Sequence, residues 1–410
     1  MLSASCEQDW VNMAIKPLAI AAYTVTNALG RGVSAALRAL RRGESGLRPC
    51  DFEETDLNTW IGRVAGLEEE PLTGEFAAFD CRNNRLARLA LEEDGFAAAV
   101  RDARARYGAD RIGVFVGSST SGIRSTEIAY RDRDPATGRL PESFDYRHTH
   151  NLFSVADLTR RWLGLNGVAF TVSTACSSSA KAFATAWRHL RAGFCDAAVV
   201  GGVDSLCLTT LYGFNALGLA SARICRPWDA GRDGLNVGEG AGFALLEWAE
   251  PGDERVLLLG YGESSDAWHM TAAHPEGAGA AQAMGEALAR AGLAPEQVDY
   301  INLHGTATPL NDAAEDRAVL GVFGPGTPCS STKGWTGHTL GAAGITEAAF
   351  TFLCLEHGFI PGTLNTRQPD PNLGAGIVLD NQERPLRVAL SNSFGFGGTN
   401  CSLLFGRDRP

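Results

Sequence analysis

The sequence predicts an α/β fold built from two similar halves packed as one unit, and three observations carry that reading. Strand-like and helix-like segments alternate along nearly the whole chain, as they do where helices cover a mostly buried sheet. Strand-like runs such as RIGVFV (111–116) are continuous and apolar, which marks strands buried on both faces. Cys176 in the first half and His304 in the second each stand where a strand runs into a loop and then a helix, a hint of ancestral duplication.

Taken in order, residues 16–26 read as a strand and 34–42 as a short helix stopped by Gly43. Residues 84–106 place Leu86, Leu89, Ala90, Ala97, Val100 and Ala103 at helical spacing, predicting one helix or a broken pair. The strand at 111–116 enters a Gly/Ser/Thr loop, GSSTSGI. Residues 168–173 follow as a strand and 177–191 as a helix with Ala180, Phe183, Ala184, Trp187 and Leu190 on one face; 197–203 is another strand. A second series begins at 256–262. It continues with helices near 281–291, 312–320 and 340–355, a strand at 298–303, and closing strands at 387–391 and 401–405. No linker rich in Pro, Gly or Ser divides the halves, and there is no short repeat or low-complexity tract.

Composition narrows the classes. The chain has 410 residues, 45% hydrophobic and 20% charged, ordinary for a globular protein of one large or two fused domains. Its longest apolar stretches, near 197–200 and 256–259, fall far short of the ~20 residues a membrane span needs. The N-terminus lacks a basic lead and apolar core, so no secretory signal is read, and residues 1–15 are expected to be a poorly ordered extension. Ten scattered cysteines without a CxxC fit a reducing cytoplasm better than a disulfide framework. A net charge of −11 with no basic stripe argues against nucleic acid. Arg82, Arg85 and Arg88, aligned at i, i+3, are either a local patch for an acidic protein partner or a plain solvated helix face.

Four stretches could carry chemistry. In VAFTVSTACSSSAKAF a strand ends and Cys176 stands at the start of an amphipathic helix. Unpaired N–H groups there would stabilise a thiolate and accept an oxyanion. Small flanking residues favour a nucleophile over a buried structural cysteine. In VDYINLHGTATPLND, His304 ends a buried strand and reads equally as a core or a catalytic histidine, while Asp312 and Glu315 most simply cap the next helix. In CSSTKGWTGHTLGAAGITEAA, Lys333 and His338 flank a glycine-rich helix start. The lysine can orient a histidine or bias its protonation, and Glu347 is either its partner or an exposed residue. In SNSFGFGGTNCSLLF, glycines interrupt a strand, which implies close backbone approach. The Phe396 N–H could be a second oxyanion donor and its ring a gate. GFGGTN is not a dinucleotide loop, because no helix follows it.

In this order TACSSS, HGTATPLND, STKGWTGHTLGAAG and NSFGFGGTN closely resemble the signature regions of β-ketoacyl-[acyl-carrier-protein] synthases, and RPWDAGRDGLNVGEGAG and SDAWHMT agree. The resemblance runs from about residue 16 to 405. It implies a thiolase fold, with duplicated βαβαβαββ halves in a five-layered αβαβα core: an N-terminal half at 16–255 carrying Cys176 and a C-terminal half at 256–407 carrying His304, Lys333 and His338. It further implies that Cys176 accepts the acyl group, that His304 and His338 form the malonyl-decarboxylation site, that Lys333 and Glu347 support them, and that Phe396 gates the acyl pocket. Asp266 and His269 fall in a matching stretch without an assigned role. The partners implied are an acyl-carrier protein and a second subunit, either a copy of the chain or a chain-length-factor-like protein. No metal or redox cofactor is implied, because CO₂ loss drives the condensation. Two histidines with one cysteine suit the elongating enzymes. TACSSS is the more polyketide-like motif, HGTATPLND and TGHTLGAAG the more fatty-acid-like, and Ser119 and Thr120 suggest a polar acyl pocket. Rival readings are a coenzyme A-dependent thiolase-like enzyme, which would need Cys401 as a second catalytic cysteine, a non-catalytic chain-length-factor-like subunit, and an acyl-binding protein.

Overall fold

The structure is a computed structural model that describes residues 14–53 and 55–407. The expected N-terminal extension lies mostly outside the described residues. Its last member, Ile15, belongs to the fold instead: the side chain is buried and its N–H donates to the Arg290 carbonyl at 2.7 Å.

Among the described residues, ten strands of a twelve-stranded sheet form the core. The first half contributes β1 (Leu18–Asn27), β2 (Ile112–Gly117), β3 (Ala169–Val172), β4 (Ala197–Asp204) and β5 (Gly240–Trp248). The second contributes β6 (Leu257–Ser265), β7 (Tyr300–Asn302), β8 (Pro328–Ser330), β9 (Val388–Gly395) and β10 (Thr399–Gly406). Spatial order is β3-β2-β4-β5-β1 in one half and β8-β7-β9-β10-β6 in the other. Position by position these are the same permutation, with the same directions: β2 is parallel to β3 and β4 as β7 is to β8 and β9. In both halves the last strand runs antiparallel to its neighbours. The halves join through a short antiparallel pairing of β1 with β6, Leu18 opposite Leu258.

The helices cover this framework as α1 (Val33–Arg42), α2 (Arg82–Leu91), α3 (Phe96–Tyr107), α4 (Ile123–Arg131), α5 (Phe153–Trp162), α6 (Ser178–Arg191), α7 (Leu208–Ala216), α8 (Ala278–Ala291), α9 (Pro309–Phe323) and α10 (Ala343–His357). Every residue of α10 from Ala343 to Leu355 is buried. A helix that is hidden all round belongs between layers, and α10 packs on α6 and on both sheets. Phe183, Phe352, Phe405 and Trp187 share that central cluster. Outside it, α2, α3 and α5 close one core against β1–β5, and α8 and α9 close another against β6–β10. The order is helix, sheet, helix, sheet, helix: the αβαβα arrangement.

In its principal elements the second half reads βαβαβαββ, with a one-turn helix (Lys333–Thr336) and three two-residue strands inserted between β8 and β9. In the first, β4 and β5 are separated by residues 205–239, which carry α7. The predicted stretch 84–106 is a broken pair, α2 and α3, because Asp94 and Gly95 take positive φ between them. The Asp94 carboxylate then accepts the Val33 N–H at 2.9 Å, the free donor at the start of α1. Helices α4, α5 and α7 and strands β5 and β8 escaped the sequence reading; β5 begins GAG, and glycines conceal a strand pattern, while β8 is only Pro-Cys-Ser. Among the described residues no helix is long and apolar enough to cross a membrane.

Equivalence of the halves also corrects the duplication hint. Cys176 follows β3, whose counterpart β8 leads to Lys333 and His338. His304 follows β7, whose counterpart β2 leads to Ser118, Ser119 and Thr120. Cys176 and His304 therefore hold different places in their halves and meet by packing.

Candidate active site

Cys176 sits on a sharp turn between β3 and α6. The chain reverses through Ala175 at φ 53°, a conformation that strains any residue with a Cβ. The turn is held by the Thr174 N–H donating to Ser178 Oγ at 2.9 Å and by Thr399 Oγ1 donating to the Thr174 carbonyl at 3.0 Å. A Cβ on Gly395 would lie 2.7 Å from that carbonyl, so the β9 strand can approach the nucleophile turn this closely only as glycine.

His338 is placed by main-chain bonds on both sides: its N–H donates to the Asn236 carbonyl at 2.8 Å, and its carbonyl accepts from the Gly238 N–H at 2.9 Å. Its ring Nε2 lies 2.9 Å from Cys176 Sγ. The Leu340 N–H donates to Nδ1 at 3.3 Å, so the ring proton resides on Nε2 and faces the sulfur. His304 stands edge-on to His338, ring centroids 5.3 Å apart. Lys333 Nζ lies 3.4 Å from His304 Nδ1 and also bonds the His304 carbonyl and the Glu347 carboxylate. An ammonium at Nδ1 leaves Nε2–H as the free donor here too.

The electrostatics follow from burial. Both histidines are held well below the ordinary imidazole range, first by desolvation and then by the Lys333 charge, with His338 adding to the effect on His304. They are neutral donors at neutral pH. Burial pushes the Cys176 thiol up to about 11, against the opposing pull of Lys333 and the Phe396 N–H. The expected help from the N–H groups at the helix start is not among these influences; the opposing pull comes from the Lys333 charge and the Phe396 N–H, and burial outweighs both. Burial likewise raises Glu347 to about 7, with Lys333 acting in the opposite direction.

Phe396 lies on a short turn with Gly397 at φ 79°, and its ring meets Phe214 at 5.6 Å, which in turn faces His338 at 6.5 Å. Phe214, on α7, is a lining residue the sequence reading missed; nothing local distinguishes it from a core phenylalanine. The glycine loop is strapped by the matching SDAWHMT stretch: Asp266 N–H donates to the Gly398 carbonyl at 2.8 Å, and Asn400 Nδ2 to Asp266 Oδ1 at 2.7 Å. His269 is exposed. A cleft lined by Cys176, His304, His338, Thr306, Thr308 and Phe396 opens from this centre.

Several expectations change in the structure. Asp312 and Glu315 do more than cap α9: both are buried beneath the loop that carries His304. Glu315 accepts the His304 and Gly305 N–H groups at 2.8 Å each, and Asp312 accepts those of Trp228 and Ala307 at 3.0 and 3.2 Å. The arginines of α2 do not form an open basic face. Arg82 is buried against Glu239 at 2.6 Å, Arg85 pairs with Asp80 at 2.6 Å, and Arg88 with Glu70 at 2.7 Å. The hydroxyls of Ser119 and Thr120 donate to Asp204, so they are not free polar groups of an acyl pocket. Cys401 is buried in the central apolar cluster, away from the cleft lining, which removes the second cysteine a thiolase-like reading requires.

Ligand-type atoms of Cys176, His304 and His338 lie within 4.8 Å of one another, close enough to hold a metal ion. The protons on both Nε2 atoms and the ammonium of Lys333 make the group an array of donors aimed at an anion instead.

The family models for the N-terminal and C-terminal domains of β-ketoacyl synthase match residues 16–251 and 256–367. The chain belongs to the β-ketoacyl synthase family. This synthase is 34% identical to the mitochondrial 3-oxoacyl-[acyl-carrier-protein] synthase of Arabidopsis thaliana, with 92% of the chain and 90% of the relative covered. It is also 34% identical to 3-oxoacyl-[acyl-carrier-protein] synthase 2 of Vibrio cholerae, over 92% and 96%. Among solved structures it matches a ketosynthase in complex with its chain length factor from Xenorhabdus doucetiae, with TM-score 0.87, 37% identity, and 96% and 98% of the two chains covered. The ishigamide ketosynthase/chain length factor follows with TM-score 0.86, 29% identity, and 96% and 100% covered. The synthase is thus an acyltransferase-class condensing enzyme on the thiolase fold.

Proposed function

We propose that the synthase condenses an acyl group held on Cys176 with malonyl-acyl-carrier protein, releasing CO₂ and a β-ketoacyl-carrier protein in fatty-acid or polyketide chain elongation. The observation that carries this is the meeting of one nucleophile with two neutral, Nε2-protonated histidines, His338 at 2.9 Å from the sulfur and His304 beside Lys333.

In the first half-reaction the Cys176 sulfur attacks the acyl thioester, the carrier thiol leaves, and the thiol proton ends on that leaving group. The Nε2–H of His338 and the Phe396 N–H stabilise the sulfur anion as it forms. In the second, malonyl-carrier protein occupies the cleft, and both Nε2–H groups bond its thioester carbonyl as CO₂ departs and the enolate grows. The enolate carbon attacks the acyl-cysteine carbonyl, whose oxyanion is held by the N–H groups of Cys176 and Phe396; the oxyanion collapses with cleavage of the C–S bond, freeing the β-ketoacyl-carrier protein and a Cys176 thiolate that takes a proton from solvent. Lys333, fixed by Glu347, keeps His304 in the donor tautomer and opposes its protonation. Phe396, packed on Phe214, is the gate between carrier channel and acyl side. All the cysteines described are free thiols, which suits a reducing, cytoplasmic setting.

The partners proposed are acyl-carrier protein and a second subunit, a copy of this chain or a chain-length-factor-like protein. A non-catalytic reading is opposed by the intact Cys176, His304, Lys333 and His338 set. The test is intact-protein mass after mixing wild type and Cys176→Ala with acyl-carrier proteins and, separately, acyl-coenzyme A. A mass gain on wild type alone, larger with carrier protein, supports the reading, and the groups accepted define the substrate. No adduct from any donor, with or without a candidate second subunit, overturns it.

A further inference from the structure

Asp204 is the last residue of β4 and is fully buried. Among the described residues its carboxylate accepts hydrogen bonds from six donors and meets no cation. Three are backbone N–H groups, Ser119 at 2.9 Å, Thr120 at 2.9 Å and Gly341 at 2.6 Å. Three are hydroxyls, of Ser118, Ser119 and Thr120. Surroundings made only of donors leave the carboxylate oxygens purely as acceptors. The donors come from both halves of the molecule: residues 118–120 follow β2, and Gly341 belongs to the turn before α10.

That turn also controls the tautomer of His338. The main chain of His338 is pinned independently by Asn236 and Gly238. Its ring is oriented by the Leu340 N–H, and Leu340 is a buried, non-glycine residue at φ 55°. A residue in that conformation persists only where neighbours over-determine it. The neighbour is Asp204, which grips the next N–H, and the fit leaves no space: a Cβ on Gly341 would lie 2.7 Å from Asp204 Oδ2 and 2.9 Å from the Ser119 nitrogen.

We propose that Asp204 is a positioning residue: by clamping the Gly341 N–H to the 118–120 loop it holds the Leu340 turn that keeps His338 Nε2–H aimed at Cys176 and at the malonyl thioester. The inference rests on the condensation proposed above and adds to it a buried anion that sets the donor geometry from behind the nucleophile. Its charge also opposes thiolate formation at Cys176.

The test separates the half-reactions in Asp204→Asn and in a Ser118→Ala/Thr120→Val variant that keeps the charge but removes two of its donors. In Asp204→Asn, kcat for CO₂ release from malonyl-carrier protein should fall on the order of tenfold to a hundredfold with KM nearly unchanged. The mass gain from acyl-carrier protein should fall several-fold less than CO₂ release, because the Phe396 N–H still serves the sulfur and loss of the Asp204 charge eases thiolate formation. The double variant should show the same selective loss, smaller in size. Alkylation of Cys176 by iodoacetamide needs no substrate, and its pH midpoint should move down in Asp204→Asn and stay in place in the double variant. Equal losses in both half-reactions, or an unmoved alkylation midpoint together with normal CO₂ release, would overturn the proposal. If Asp204→Asn does not fold, the double variant decides: selective loss of CO₂ release upholds the clamp, and normal release removes it. A wild type that fails to release CO₂ refutes the condensation reading, and the alkylation midpoints of wild type and Asp204→Asn still test the Asp204 charge behind Cys176.

Discussion

Cys176 is the residue on which burial and function pull in opposite directions. With its thiol pushed up to about 11, roughly one sulfur in ten thousand is ionised at pH 7. Alkylation by iodoacetamide should therefore climb about tenfold per pH unit between pH 7 and 10, because the thiolate is the reacting species. A rate that levels off near pH 7 would show that the helix start and Lys333 dominate after all. The sign is fixed by the direction of the shift: a raised thiol pKa means more nucleophile at higher pH throughout this window. At this scale the sequence was informative where a residue stood at a recognisable junction. Cys176, Lys333 and His338 were legible this way, His304 and the Lys333–Glu347 pairing only through the family resemblance, and the structure brings them together. Asp204 and Phe214 were not, since their roles come from partners such as Ser118 and Phe396 that lie far along the chain.

At the scale of elements, α2 shows how a correct helix can be given the wrong face. Its i, i+3 arginines were legible as a stripe, but a stripe does not say whether it meets solvent or a carboxylate. The Arg82 side chain is 5% exposed and forks onto Glu239, whose oxygens also accept the Val64 and Leu206 N–H groups. The pair ties α2 to residues 64 and 206 and to the start of β5, so it secures the outer layer. Breaking a buried pair by removing one member costs about 3–5 kcal/mol. Arg82→Ala should lower unfolding stability by that order in urea titrations. Arg85→Ala, which loses one partly exposed pair, should change it by about 1 kcal/mol or less. If Arg82→Ala instead weakens carrier-protein binding with stability intact, α2 is a docking face. Other elements escaped for a physical reason: β5 opens with glycines, and α7 has too few apolar residues on one side to announce itself, Leu211 being its single buried residue.

For the molecule as a whole, the alternation of strands and helices foretold the α/β class, and the matched permutation of β1–β5 and β6–β10 shows why two halves make one core. Periodicity reports which face of an element is buried, not which strand lies beside which, so the order had to come from the structure. That order leaves β3 at an edge, paired with β2 alone. Natural edges are usually blunted by charge, proline or a covering segment, and β3 reads Ala-Phe-Thr-Val with none in its own sequence. Phe170 is 47% exposed there, linked by tilted ring contacts through His189 to Phe194, itself 60% exposed, and Phe153 at the start of α5 is 41% exposed. An open strand edge beside exposed aromatics is suited to a second subunit. Phe170→Glu places a charge on this face and gives up the stacking of Phe170 on the buried Phe115 ring, 6.1 Å away. Wild type, alone or with a chain-length-factor-like partner, should sediment as a two-chain particle. The variant should sediment as a single chain with an unchanged circular dichroism spectrum. A variant that remains two-chain would move the interface to another face, whereas dissociation together with lost condensation and retained acylation of Cys176 would make the second subunit part of the elongation machinery.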